Sequence, residues 1–187
     1  MTTASCSPNT LILLSGWAGS GKDAAAAALA PLGFQRFAFA DPLKADVATA
    51  TCLPSAMFER PFKDQPLSAS DSRTPRDLLL AHAAAARETD PDIYARATAN
   101  TILNNRVTRA VISDWRYRRE GAFVESHLST STGWNIFHIR IERPGVIPST
   151  AAIEHELDDF PMDLTISNDG TLADLSQKLT DWLGPRL

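Results

Sequence analysis

Gly16, Gly21 and Lys22 stand at phosphate-loop spacing in the stretch Gly16-Trp17-Ala18-Gly19-Ser20-Gly21-Lys22-Asp23. The chemistry this composition suits is the holding of a polyphosphate. Several main-chain N–H groups must converge on one anion, and glycine lets the backbone turn to aim them. Lys22 adds a mobile full charge, and a helix starting there adds its positive N-terminal end. The position that usually carries a Ser or Thr hydroxyl for Mg²⁺ holds Asp23 instead. A carboxylate is also a hard oxygen ligand, so Asp23 is expected to serve a metal directly or through water, although it brings a negative charge. The structural alternatives are a glycine-rich turn with a solvated lysine, and an acidic residue favourable to a helix start.

Other residues of the same chemical kind recur at predicted strand ends and helix starts. Ala110-Val111-Ile112-Ser113-Asp114 reads as an apolar central strand that delivers Asp114, Trp115 and Arg116 to the ligand edge of a sheet. Asp114 resembles the carboxylate that closes a Walker-B strand and organises Mg²⁺. Arg116, Arg118 and Arg119 repel one another unless anions neutralise them, so Arg116 is expected on phosphate, with Arg118 and Arg119 as a solvated basic face. Asp41 and Lys44, in Phe39-Ala40-Asp41-Pro42-Leu43-Lys44, are candidate substrate contacts, and Asp41 before Pro42 also suits a helix N-cap. Thr74-Pro75-Arg76-Asp77 is a strong helix start, whose Arg76 conflicts with the dipole unless an anion is near. Tyr94 and Arg96 follow Asp90-Pro91-Asp92, either facing substrate or as a core tyrosine and a solvated arginine. Asn168 and Gly170, in Asn168-Asp169-Gly170, form a turn able to hold a base through its backbone, though a plain turn needs the same residues.

The elements that must position these residues alternate between strand and helix. Strands are expected at Leu11 to Leu14, Phe34 to Ala40, Ala110 to Asp114, Trp134 to Ile141 and Leu164 to Ser167. Helices are expected after each of them but the fourth, with Leu172, Leu175, Leu179 and Leu183 as the core stripe of the last. This is an α/β chain with a doubly wound, five-stranded parallel sheet. Residues 53–105, broken by Pro54, Pro61 and Pro66, form a helical region beside it in which Arg60, Phe62 and Lys63 are candidates for a substrate wall. Residues 142–161 lack periodicity, contain Glu154-His155-Glu156-Leu157-Asp158-Asp159, and are expected to be a water-excluding lid. Met1 to Asn9 is expected to be a loose arm, and Ser129 to Gly133 a polar loop.

A length of 187 residues suits one domain. The formal charge of −4 gives no broad basic field for a stable nucleic-acid complex or an anionic membrane, but a small anionic ligand needs only a local cluster of Arg and Lys. Cys6 and Cys52 form no disulfide or zinc pattern and read as reduced thiols of a cytoplasmic protein. Monomer and homodimer are both open.

The glycine loop with its Gly-Lys-Asp ending, together with Phe39 to Lys44, Thr74 to Asp77, Asp90 to Arg96, Ile112 to Arg116, Glu154 to Asp158 and Ile166 to Gly170, resembles the phage-type deoxynucleoside monophosphate kinases. Animal-type phosphomevalonate kinase is similar in the same segments. The resemblance implies a P-loop kinase fold and transfer of the γ-phosphoryl group of ATP, with Mg²⁺, to a small monophosphate nucleotide in the host cytoplasm. It implies that Gly16, Trp17, Ala18, Gly19, Ser20, Gly21 and Lys22 hold the donor, with Asn168 and Gly170 near its base. By the same resemblance Asp23 and Asp114 serve the metal, and Asp41, Lys44, Arg76, Tyr94, Arg96, Trp115 and Arg116 line the acceptor side. Trp17 either covers a base or sugar or simply packs. A kinase acting on a modified base in DNA and a non-catalytic nucleotide-binding regulator are the alternatives of other classes.

Overall fold

The first strand, β1 (Asn9–Ser15), is apolar through its centre because both of its faces are covered. Leu11 and Leu13 point into one layer, and Ile12 and Leu14 into the other. The structure is a computed structural model that describes residues 9–129 and 133–187. β1 lies at the centre of a five-stranded parallel sheet with β2 (Gln35–Phe37), β3 (Arg109–Ile112), β4 (Trp134–Glu142) and β5 (Leu164–Ser167), in the order β2-β3-β1-β4-β5.

Parallel neighbours need crossover connections; helices supply them except between β4 and β5, which are joined by residues 143–163 with the single 3-10 turn Ala152–Glu154. On one face, α1 (Lys22–Leu29) packs through Ala25 and Leu29, and α6 (Leu172–Leu183) through Leu175, Leu179 and Leu183. On the other face, α4 (Ile93–Asn104) contributes Ala95, Ala99 and Ile102, and α5 (Arg118–Ser129) contributes Val124 and Leu128. A satellite core joins Leu43 and Val47 of α2 (Ala40–Thr51), Ala83 of α3 (Pro75–Thr89), Tyr94 of α4, and Phe58. Residues 53–74 between α2 and α3 hold two short 3-10 turns, Ser55–Phe58 and Phe62–Asp64.

The chain crosses to both sides of β1, which makes its carboxyl end the place where loops part and a ligand can enter. Leu13 pairs with Ile112 and Ser15 with Arg140, so β1, β3 and β4 deliver their following residues to one edge.

Several boundaries differ from the sequence reading. Asn9 is not part of an arm but the first residue of β1, paired with Trp134; residues 1–8 lie outside the described residues. Ser129 closes α5, and residues 130–132 of the expected loop are also outside them. The second strand shrinks to Gln35–Phe37 because α2 starts at Ala40, with Phe39 at its N-cap. Asp41 therefore sits in the first turn of α2 instead of capping it. Leu172 is 59% exposed and drops out of the α6 core stripe, since the helix begins before reaching the sheet. No helix among the described residues is long and apolar enough to cross a membrane.

Candidate active site

The loop between β1 and α1 has the backbone its glycines allow. Gly16, Gly19 and Gly21 have φ of 134°, 84° and 104°, in the region costly for residues with a Cβ. At Gly16 a Cβ would also stand 2.2 Å from the Ile141 carbonyl oxygen, and at Gly21 2.2 Å from Asn168 Nδ2. The second approach exists because Asn168 Nδ2 donates to the Ser20 carbonyl at 2.8 Å, tying the turn after β5 to the loop. Gly170 in turn lies against Asp174, whose carboxylate forms a capping box with Thr171 at the start of α6.

Lys22 does not extend into solvent. It is 9% exposed, and its ammonium folds back to donate to the carbonyls of Gly16 at 2.5 Å and Trp17 at 2.9 Å. Burial first, and then the nearby Arg116 charge, lower its pKa from 10.5 to about 8. The Ser20 hydroxyl is also buried, with no hydrogen-bond partner among the described residues.

Asp114 carries a structural task that its sequence position does not reveal. Its two oxygens accept the main-chain N–H groups of Phe39 at 2.7 Å and Ala40 at 2.9 Å, so it caps α2 from another strand. Burial raises its pKa, against the opposing pull of those two amides. Asp23, whose side chain is 88% exposed, accepts from Ser113 Oγ at 3.2 Å. Arg36 of β2 ties the group together: Nε donates to Ser113 Oγ at 3.1 Å, one terminal nitrogen reaches Asp41 at 3.0 Å, and the other lies 4.0 Å from Asp23. The donors available to a cation here are hard oxygens, which suit Mg²⁺. Among the described residues no three His, Cys, Asp or Glu side chains converge as a ready-made cage, and Mg²⁺ commonly completes its shell with water and phosphate.

The segment from 143 to 163 lies down over the loop. Glu154 accepts from the Ala18 N–H at 2.9 Å and from the Arg116 guanidinium. Asp158 accepts from Trp17 Nε1 at 3.3 Å and from Arg140 at 2.6 Å, and Arg140 also donates to the Leu157 carbonyl. Arg118 and Arg119 both lie at the surface and both are paired: the Arg118 main-chain N–H and Nε donate to Glu156 and its terminal nitrogen to Asp159, and Arg119 pairs with Asp92. Trp17 packs under the Arg140 guanidinium, 5.5 Å from ring centroid to carbon. Beside it opens a groove of about 450 Å³ lined by Trp17, Arg140, Glu142, Phe160 and Met162 among others.

A second cationic group lies along α2 and α3. Lys44 pairs with Glu59 at 2.5 Å and Arg76 with Asp64 at 2.5 Å. Lys63 stands among them, its pKa lowered by burial and then by Arg76, Arg60 and Lys44. Arg96 is not gathered here: it grips both oxygens of Asp90 at 2.7 Å and lies over the Phe123 ring. Tyr94 and Trp115 are corrections to the sequence reading. They are 2% and 1% exposed, buried in apolar clusters, so neither offers an open ring to a base. Their large apolar area decides this.

Arg36, Arg140 and the Arg87–Glu120 pair were not singled out from sequence. A charge inside a strand is the signal that marks the first two. For the pair, buried Glu120 with Arg87 at 3.0 Å, the chain offered none.

No protein-family model matches this sequence, and no curated protein matches it. Solved structures do. APS kinase from Mycobacterium tuberculosis in complex with AMPPNP and APS is 11% identical, with a TM-score of 0.51 over 96% of this chain and 99% of that one. Dephospho-CoA kinase from Campylobacter jejuni is 13% identical, with a TM-score of 0.51 over 96% and 98%. TT1252 from Thermus thermophilus is 14% identical, with a TM-score of 0.52 over 95% and 98%. With its parallel sheet and its glycine loop at the carboxyl end of the central strand, this chain has the α/β fold of the P-loop kinases.

Proposed function

We propose that the chain is an ATP-dependent kinase that transfers the γ-phosphoryl group of ATP to the phosphate of a deoxynucleoside monophosphate, giving ADP and the diphosphate. The observation that supports this reading is the presence of two cationic groups, one at the carboxyl edge of the sheet and one along the helix that starts at that edge. One is the glycine loop with Lys22 and Arg116. The other begins one turn along α2, about 6 Å beyond the end capped by Asp114, with Lys44, Arg60, Lys63 and Arg76. A phosphate-to-phosphate transfer needs both, and it needs no general base because the acceptor oxygen is already anionic.

In this reading the loop amides from Gly16 to Lys22 hold the donor phosphates, and Asn168 and Gly170 flank its base. Asp23 and Asp114 are the holders of Mg²⁺, which supplies charge neutralisation on the phosphates. Asp41, Lys44 and Arg76 face the acceptor, Arg116 stands between it and the donor loop, and Arg96 closes on it only by leaving Asp90. The chain acts as one domain with residues 143–161 as its lid. The AMPPNP in the APS kinase structure supports an ATP-type donor, and the deoxynucleotide acceptor rests on the resemblance of the later segments. A second acceptor class, a small phosphorylated molecule without a base such as phosphomevalonate, is favoured by the burial of Tyr94 and Trp115; Phe62, 44% exposed, is then the aromatic left to stack on a base.

A panel of deoxynucleoside and ribonucleoside monophosphates and phosphomevalonate, each with Mg·ATP and scored for ADP release, tests it. Turnover with at least one deoxynucleoside monophosphate is expected; ADP release with none of them overturns the acceptor assignment. Lys22→Ala is expected to lower the turnover of the best substrate by about 10²–10³-fold, the scale of losing one positioned transition-state donor, and a wild-type rate would remove Lys22 from the mechanism.

A further inference from the structure

The anion position of the glycine loop is held in this structure by a side chain of the chain itself. Glu154, at the end of the 3-10 turn Ala152–Glu154, places one carboxylate oxygen 2.9 Å from the Ala18 N–H and the other on Arg116. Only 8% of its side chain is exposed. A loop amide and a guanidinium are the partners that a phosphate oxygen takes. Two further groups of the same loop have no bond to Glu154. The Ser20 hydroxyl is buried with no hydrogen-bond partner among the described residues, and the Lys22 ammonium is turned onto loop carbonyls. Behind Glu154 a cavity of about 10 Å³, lined by Ser15, Gly16, Arg116 and Arg140 among others, remains, room for about one water. A phosphate oxygen bound to the Ala18 N–H and Arg116 would take the place that the Glu154 carboxylate fills.

The geometry points to Glu154 as an internal occupant of a phosphate subsite formed by the Ala18 amide, Arg116 and the inner wall of the loop, displaced when the phosphate of an incoming nucleotide enters. This rests on the reading of Gly16 to Asp23 as the donor-phosphate loop. The rest of the segment is built to keep the plug in register. Asp158 is bonded to Trp17 and Arg140, Glu156 and Asp159 to Arg118, and His155 Nδ1 to Asp158 at 2.7 Å with its Nε2 on the Ser149 carbonyl. These contacts leave Glu154 as the acid that reaches the loop amide. The empty protein is thereby self-inhibited: Arg116 is neutralised and the loop closed until a polyphosphate outcompetes the carboxylate. Apparent affinity is reduced by the fraction of molecules whose plug is out.

The test is calorimetric titration of the full chain and its Glu154→Gln, Glu154→Asp and Glu154→Ala variants with Mg·ATP, and with inorganic triphosphate as a probe lacking base and sugar. All three variants are expected to bind both ligands about tenfold or more tightly than the wild type. Glu154→Asp is the discriminating member, because it keeps the charge but loses the reach that bridges Ala18 and Arg116. Wild-type affinity in all three overturns the plug while leaving the donor-loop reading standing. Tightening in the Gln and Ala variants with wild-type affinity in the Asp variant also overturns it, since charge alone then explains the effect. Absence of binding by every form overturns the donor-loop reading and the plug with it.

Discussion

Asp114 illustrates how one side chain can be asked for two things. The proposed function asks it, as a strand-end carboxylate, to serve a metal, yet both of its oxygens already accept N–H groups that start α2. Asn in its place presents one acceptor and one donor, so one amide of the helix start would face an N–H₂ group. Asp114→Asn is therefore expected to destabilise the fold by about 1–3 kcal/mol, the cost of leaving a buried donor unpaired, read as a lower urea midpoint. An unchanged midpoint would mean that the carboxylate serves only a ligand. Lys22 shows the complementary case, a residue expected in solvent that is instead drawn under its own loop by two carbonyls.

At the scale of elements, the Thr74–Asp77 helix start was read from the chain because its signal is contained within four residues, and the same local signal at Thr171–Asp174 was not singled out. Thr74 with Asp77 starts α3, and Thr171 with Asp174 starts α6, each with both reciprocal bonds in place. Thr74→Ala is expected to destabilise by about 1 kcal/mol and to shift a denaturation curve accordingly; no shift would show that packing of the satellite core alone holds the start of α3. The start of α2 was read wrongly for the converse reason, since its cap comes from β3 and Asp41 is engaged by Arg36. The segment from 143 to 163 has no period of its own, and its acids are engaged by Arg116 of the loop after β3, Arg118 of α5 and Arg140 of β4.

For the whole molecule, two buried charges contribute to how stability varies with pH, beside Asp114, whose pKa burial also raises. Burial, opposed only in part by Arg87, raises the pKa of Glu120 from 4.5 to about 7. The folded state then binds more protons than the unfolded chain between those values, so stability falls as pH rises through that window. The full cost, about 3 kcal/mol, is present above pH 7. Lys22 acts in the window from about 8 to 10.5 with the opposite sign, its burial cost fading as pH rises. Glu120→Gln is expected to flatten the fall in unfolding free energy between pH 4.5 and 7, measured by urea titration at stepped pH. An unaltered slope would assign that fall to other groups.

What the chain determined by itself was local: an apolar run, glycines at loop spacing, a helix start, the capping boxes, and the alternation of elements that makes a parallel sheet. These depend on backbone sterics and on hydrophobic period, both of which are written within a few residues. Tertiary structure decided the rest. Asp114 caps amides 75 and 74 residues away, Glu154 reaches an amide 136 residues away, and Tyr94 and Trp115 are buried by helices and loops that packing brings to them. Hydrogen bonds and apolar burial act between whichever groups the fold makes adjacent, and no local pattern encodes a partner at such a distance.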